Sequence, residues 1–244
     1  MRGLTARQAL RLLELDAGKP VTERALTLLR MALPDPPSED LASLSIGARD
    51  AALLELRRAT FGPTLECRAD CPGCGEPLEF DLDVRSLVPD EADPPGSECE
   101  LIDGDWTLRF RLPTVADLDA AAACNDVDEA RSLLIESCVL AAKHAGTSAA
   151  IDDTPSEVLA ALAERIAEVD PAEELRIELT CPACEHTWSE LLEIASFLWD
   201  EVRAAAERTL LEVDALARAY GWREEDILSM SVQRRRLYVE LVSR

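Results

Sequence analysis

Two Cys-Pro-x-Cys turns constrain this chain more than any other feature: Cys71-Pro72-Gly73-Cys74 and Cys181-Pro182-Ala183-Cys184, with 106 residues between Cys74 and Cys181. Each is preceded by an alternating apolar–polar run (TLECRAD, ELRIELT) and followed by another (EPLEFDLDV, HTWSELLEI). Period-two alternation on both sides of a tight turn predicts strand–turn–strand. Building the same turn twice serves either two redox motifs or two halves of one metal site split by a long insertion.

A Cys-x-x-Cys turn puts two thiolates on one side of a loop. Two such loops facing each other supply the four soft ligands of a tetrahedral Zn²⁺, at about 2.3 Å each. Pro72 and Pro182 rigidify the turns, and Gly75 can take the left-handed backbone such knuckles need. Glu185 holds the corresponding position in the second copy, a departure from the pattern. The redox alternative, a thioredoxin-like site, requires the motif to follow a strand and open a helix within a βαβ unit. Here strands follow both motifs. Spacing and context therefore favour one structural zinc ion held by Cys71, Cys74, Cys181 and Cys184. A catalytic zinc would need an open coordination position and a nearby acid or base.

The remaining candidates are weaker. Cys67, four residues before Cys71, and His186, two after Cys184, are within reach as substitute ligands but fit strand positions beside the knuckles better. Cys99, Cys124 and Cys138 read as small buried apolar residues. His144, in KHAGTS, reads as a cation near a helix C-terminus.

The flanks of the knuckles are helical in pattern. TARQALRLLELD, VTERALTLLRMAL and LSIGARDAALLELRRATFG carry apolar residues at three- and four-residue spacing, the last starting near Ser45 and stopping at Gly62-Pro63. PDPPSED from Pro34 and PDEADPPGSE from Pro89 are loops. ECELIDGDWTLRFRL is a hairpin turning at Asp103-Gly104. PTVADLDAAAACN, DEARSLLIESCVLAAKHAG and TPSEVLAALAERIAEVD read as helices, with Thr114 and Thr154 as N-terminal caps. ASFLWDEVRAAAERTLLEVDALARAYG is a long amphipathic helix ended by Gly221. WREEDILSM and SVQRRRLYVELV follow as shorter helices, with Ser231 capping the last.

The expected fold is thus α+β and mainly helical: a split four-cysteine zinc ribbon with an inserted hairpin and helical subdomain, flanked by N- and C-terminal helices. It divides into an N-terminal helical region (1–62), the first ribbon half (63–88), the insert (89–173), the second half (174–193) and the C-terminal helices (194–244). In the long helix Phe197, Leu198, Val202, Ala205, Leu210, Val213, Leu216 and Tyr220 form an apolar stripe. Trp222, Ile227, Leu228, Leu237, Tyr238 and Leu241 extend it, as core packing or as a partner groove. Arg234-Arg235-Arg236 reads as a solvated helix face, or as a contact for a partner's carboxylates.

Charge narrows the function. Of a net −23, residues 67–193 carry −22, with eight basic and thirty acidic side chains. Such a middle repels nucleic acid, which is bound by Lys and Arg neutralising phosphates. No apolar run approaches the roughly 18 residues of a membrane span, and the start lacks a signal-peptide core. A soluble cytoplasmic protein is expected, a compartment in which thiols stay reduced. No nucleophile–base set, phosphate-cradling glycine loop or H-E-x-x-H is present, so no enzyme is expected.

LSIGARDAALLELRRATFG, the knuckles CPGCG and CPACE, FRLPTVADLDA between them and the ending YGWREEDILSMSVQRRRLYVELV together resemble the baseplate hub assembly chaperone family of T-even-like contractile phage tails, with relatives in bacterial contractile injection systems. The resemblance runs over most of the chain from Ser45 onward. It implies a non-enzymatic factor that helps hub, spike or wedge baseplate proteins fold or assemble, and it carries over no catalytic residues. The four cysteines transfer as a metal site. The alternatives from other classes are a zinc-ribbon adaptor in transcription or ribosome biogenesis and a thiol–disulfide oxidoreductase.

Overall fold

The computed structural model describes residues 1–15, 18–33, 40–87, 98–170 and 175–243. Most of the loop expected from Pro34, nearly all of that expected from Pro89, and the expected divisions at 88/89 and 173/174 lie outside the described residues. Within them the chain is α+β and mainly helical.

Helices α1 (Ala6–Leu15), α2 (Val21–Ala32) and α3 (Ile46–Phe61) form where the periodicity places them. Ser45 caps α3 by accepting the Ala48 N–H, and Gly62, at φ +99°, stops it. Two antiparallel hairpins follow the alternating runs. One is β1 (Thr64–Asp70) with β2 (Pro77–Asp83); the other, far along the chain, is β7 (Arg176–Thr180) with β8 (Thr187–Leu191).

Between the hairpins lies a four-stranded antiparallel sheet in sequence order: β3 (Glu98–Asp103), β4 (Trp106–Arg111), β5 (Val139–His144) and β6 (Thr147–Ala149). Helices α4 (Val115–Ala122) and α5 (Val127–Cys138) connect β4 to β5, and α6 (Ser156–Val169) follows β6. The chain then ends in α7 (Ile194–Tyr220), α8 (Glu224–Ser229) and α9 (Val232–Val242).

Two apolar clusters form. One joins α1, α2, α3 and the first half of α7, and takes in Leu65 and Val84, side by side at the open end of the first hairpin. Leu198 and Trp199, 0% and 3% exposed, anchor α7 in it; a fully buried side chain of this size contributes about 1.5–3 kcal/mol. The other is built from Leu108, Phe110, Cys138, Ala142, Val158, Leu162 and Ile166, between the four-stranded sheet and α6.

The second cluster is tied to the first through backbone. The Ile46 N–H donates to the Pro113 carbonyl (3.2 Å) and the Val115 N–H to the Leu44 carbonyl (3.1 Å). The Gly47 N–H donates to Asp170 Oδ2 at 3.0 Å. A Cβ on Gly47 would lie 1.7 Å from Asp170 Oδ1, so the end of α6 reaches the start of α3 only because that position is glycine.

Several expectations are corrected. DEARSLLIESCVLAAKHAG is not one helix: α5 ends at Cys138 and the chain continues as β5, pairing Leu108 with Ala142 and Arg109 with Ala141. A short apolar run fits a buried helix or a strand equally well, and here the open edge of β4 takes it as a partner. Ala145 (φ +48°) and Gly146 (φ +78°) then turn the chain into β6. His144 is therefore a strand residue, stacked on Trp106 at 4.8 Å, and not a helix-end cation.

Thr114 caps α4 in a capping box with Asp117, but Thr154 does not cap α6. Pro155 takes the cap position, which leaves the buried Thr154 hydroxyl one residue too early and without a hydrogen-bond partner among the described residues. In α7 the buried side includes Trp199, Ala206 and Thr209, whereas Leu210 and Tyr220 from the expected stripe are exposed. Arg235 is not on a solvated face: it is 3% exposed and pairs with Glu212 of α7.

Candidate metal centre

The two knuckles are built alike, bond for bond. In the first, the Gly75 N–H donates to the Cys71 carbonyl (2.8 Å) and the Cys71 N–H to the Glu76 carbonyl (2.9 Å). In the second, the Glu185 N–H donates to the Cys181 carbonyl (3.0 Å) and the Cys181 N–H to the His186 carbonyl (2.9 Å). Both turns need a left-handed residue after the second cysteine. Gly75 takes it at φ +76°; Glu185 takes it at φ +58° despite its side chain.

The hairpins bring the knuckles face to face. The Sγ atoms of Cys71, Cys74, Cys181 and Cys184 all lie within 4.8 Å of one another. Cys71 and Cys184 are 3.7 Å apart, and Cys74 and Cys181 3.6 Å. A tetrahedron of sulfurs about 2.3 Å from a central ion has edges of about 3.8 Å, so the donor set matches such a cage. Cys71 and Cys181 are buried, Cys74 and Cys184 exposed. Gly73 lets the knuckles close: a Cβ there would press on the His186 ring at 3.2 Å.

Electrostatics also fit a cation. Burial pushes the Cys181 thiol up, but backbone N–H groups of Ala183 and Cys184 and the neighbouring thiols outweigh it and bring it to about 7. At Cys74 the Glu76 backbone N–H lowers the thiol, yet the sulfurs of Cys184, Cys181 and Cys71, with burial, push it up to about 12. Cys184 is raised as well. One sulfur gives up its proton readily and the next resist, because a second thiolate beside the first is repelled. Four thiolates at this spacing need a positive charge among them.

Neither substitute ligand joins the quartet. Cys67 is half-buried on β1 opposite Phe80, its thiol pushed up by burial. His186 is exposed just before β8 and stacks on Trp188. Cys138 is fully buried in the second apolar cluster and Cys99 packs against it, while Cys124 is half-buried near the end of α4.

Arg57 went unnoticed in the sequence. It is 3% exposed and joins α3, the entrance to β1 and Glu201 of α7. One arginine among the three of a helix that is amphipathic by pattern carries no mark of such a role.

Among the described residues no helix is long and apolar enough to cross a membrane. A family model described as T4 bacteriophage base plate protein matches residues 27–199, a span that contains both knuckles and ends within the first turns of α7. Comparison with curated proteins and with solved structures finds no match.

Proposed function

The chain belongs to the T4 bacteriophage base plate protein family, and we propose that it acts as an assembly chaperone for the base plate hub of a contractile phage tail or a related contractile injection system. It does so in the cytoplasm, by protein–protein binding and without catalysis, holding one structural Zn²⁺ on Cys71, Cys74, Cys181 and Cys184. The family match carries this reading. The acidic middle supports a protein partner over a nucleic-acid one, since carboxylates repel phosphates.

For the metal, the support is the donor set. Four soft sulfurs at tetrahedral spacing suit Zn²⁺, and all four positions are filled by protein, the mark of a structural rather than a catalytic site. A bound ion supplies the charge that lets the four thiolates coexist. The residues do the rest: the hairpins present the sulfurs, and Gly75 and Glu185 turn the backbone amides toward them.

Co-expression with the hub, spike and wedge proteins of its own tail tests the reading. A complex with one of them, absent from finished tails, is the expected result. Failure to bind any base plate protein, or capture of RNA polymerase or ribosomal proteins in their place, overturns it; the second outcome identifies a zinc-ribbon adaptor.

A further inference from the structure

A cleft of about 300 Å³ opens between the N-terminal segment, the end of α3, the middle of α7 and the start of α9. Its walls are apolar where Leu4, Ala9, Phe61, Val202 and Ala205 meet, and Val232 stands half-exposed at its rim. Three guanidiniums line it, Arg208, Arg235 and Arg236, against one carboxylate, Glu212.

The pairing leaves an imbalance. Other exposed arginines of α7 spend their charge on a carboxylate one turn away, Arg203 on Glu207 and Arg218 on Asp214. By the same spacing Arg208 belongs to Glu212, but Glu212 is taken by the buried Arg235 from α9. Among the described residues Arg208 is left without an ion pair, and Arg236 makes none either. Two exposed, uncompensated guanidiniums thus border one apolar cleft, in a chain with nearly twice as many acidic as basic side chains.

We propose that this cleft docks a short acidic segment of a partner protein. One bulky apolar side chain of the segment enters the floor, and carboxylates beside it meet Arg208 and Arg236. The volume is at the small end of binding pockets and suits a single anchoring side chain. Guanidiniums recognise carboxylates through paired, charge-assisted hydrogen bonds. Arg235 and Glu212 act as positioning residues: by neutralising each other they hold α9 on α7 and leave Arg208 available. The assembly reading supplies the source of the segment, whereas the site itself stands on the cleft and its charges.

The full chain is panned against a phage-displayed library of random peptides, and enriched sequences are measured as free peptides. Enriched peptides carry a large apolar residue flanked by Asp or Glu. Their affinity falls about tenfold or more in Arg208→Glu/Arg236→Glu, less in Arg208→Gln/Arg236→Gln, and stays unchanged in Arg234→Glu, which lies outside the cleft. Both substituted arginines are exposed, and circular dichroism checks that the variants fold. No enrichment, or enrichment that ignores the double substitution, overturns the proposal. So does self-association of the wild type abolished by the same substitutions, which places a second copy in the cleft. Base plate binding unaffected by Arg208→Glu/Arg236→Glu sinks the cleft and leaves the assembly reading standing. Peptide binding at the cleft without any base plate partner does the reverse.

Discussion

Arg57 and Glu201, 144 positions apart, face each other through two hydrogen bonds, Nε to Oε2 at 3.0 Å and Nη2 to Oε1 at 2.8 Å. The remaining arm, Nη1, donates to the carbonyls of Gly62 and Thr64. With its side chain 4% exposed, Arg57 binds the end of α3, the entrance to the first hairpin and α7 into one unit. Arg57→Ala should lower stability by about 3 kcal/mol, the usual cost of breaking a buried pair. Arg57→Lys should recover little of it, because an ammonium lacks the planar fork that reaches all these oxygens. Urea denaturation of both variants measures this, and a lysine variant matching wild type would show that charge alone matters.

The left-handed knuckle position differs between the copies, and that difference is measurable. Gly75→Ala forces a Cβ into φ +76° and should cost about 1 kcal/mol. Glu185→Gly relieves the same strain at φ +58° and should gain a similar amount. Thermal denaturation of the pair should therefore shift in opposite directions; equal losses in both would mean that the Glu185 side chain makes a stabilising contact that outweighs its backbone strain.

Metal analysis of the purified chain should find about one Zn²⁺ per molecule. Cys71→Ser and Cys184→Ser should each lose it, with a lowered thermal midpoint, and Cys67→Ser should retain it. A strong chelator should lower the wild-type midpoint toward that of the serine variants. A folded, metal-free wild type whose thiols react freely would fit a redox role instead.

Asp117 sets a pH dependence. Burial raises its carboxyl, but hydrogen bonds from Arg111, and from the hydroxyl and N–H of Thr114, outweigh that and hold it well below the ordinary carboxylate range. A carboxyl depressed by folding stabilises above its unfolded pKa, about 3.9, and that contribution drains as the pH falls toward its folded value. The urea midpoint of wild type should fall between about pH 4 and pH 2 more steeply than that of Asp117→Asn. Parallel curves would assign the acid loss to other carboxylates.

How legible this was depended on the kind of signal. The knuckles, the hairpin at Asp103-Gly104, the caps at Ser45, Thr114 and Ser231, and the stop at Gly221 follow from local rules, and the chain obeys them. The meeting of the cysteines was legible because metal chemistry demands four ligands and each turn offers two. Where a segment's state depends on a distant neighbour, the pattern was silent. Val139–His144 becomes a strand only because β4 offers an edge, and Arg235 is buried only because Glu212 waits on another helix. Gly47 looked like an ordinary helix residue, yet a Cβ there would collide with Asp170.

The placement of the cysteines has a temporal side. A ribosome adding about 5–20 residues per second releases Cys71 and Cys74 roughly 5–20 seconds before Cys181 and Cys184 exist. During that interval the first hairpin is an open dithiol clasp, while the strands and helices encoded behind it acquire their own interior. The clasp can shut only after those elements have been made, so the quartet cannot come together until everything enclosed between its halves has left the ribosome.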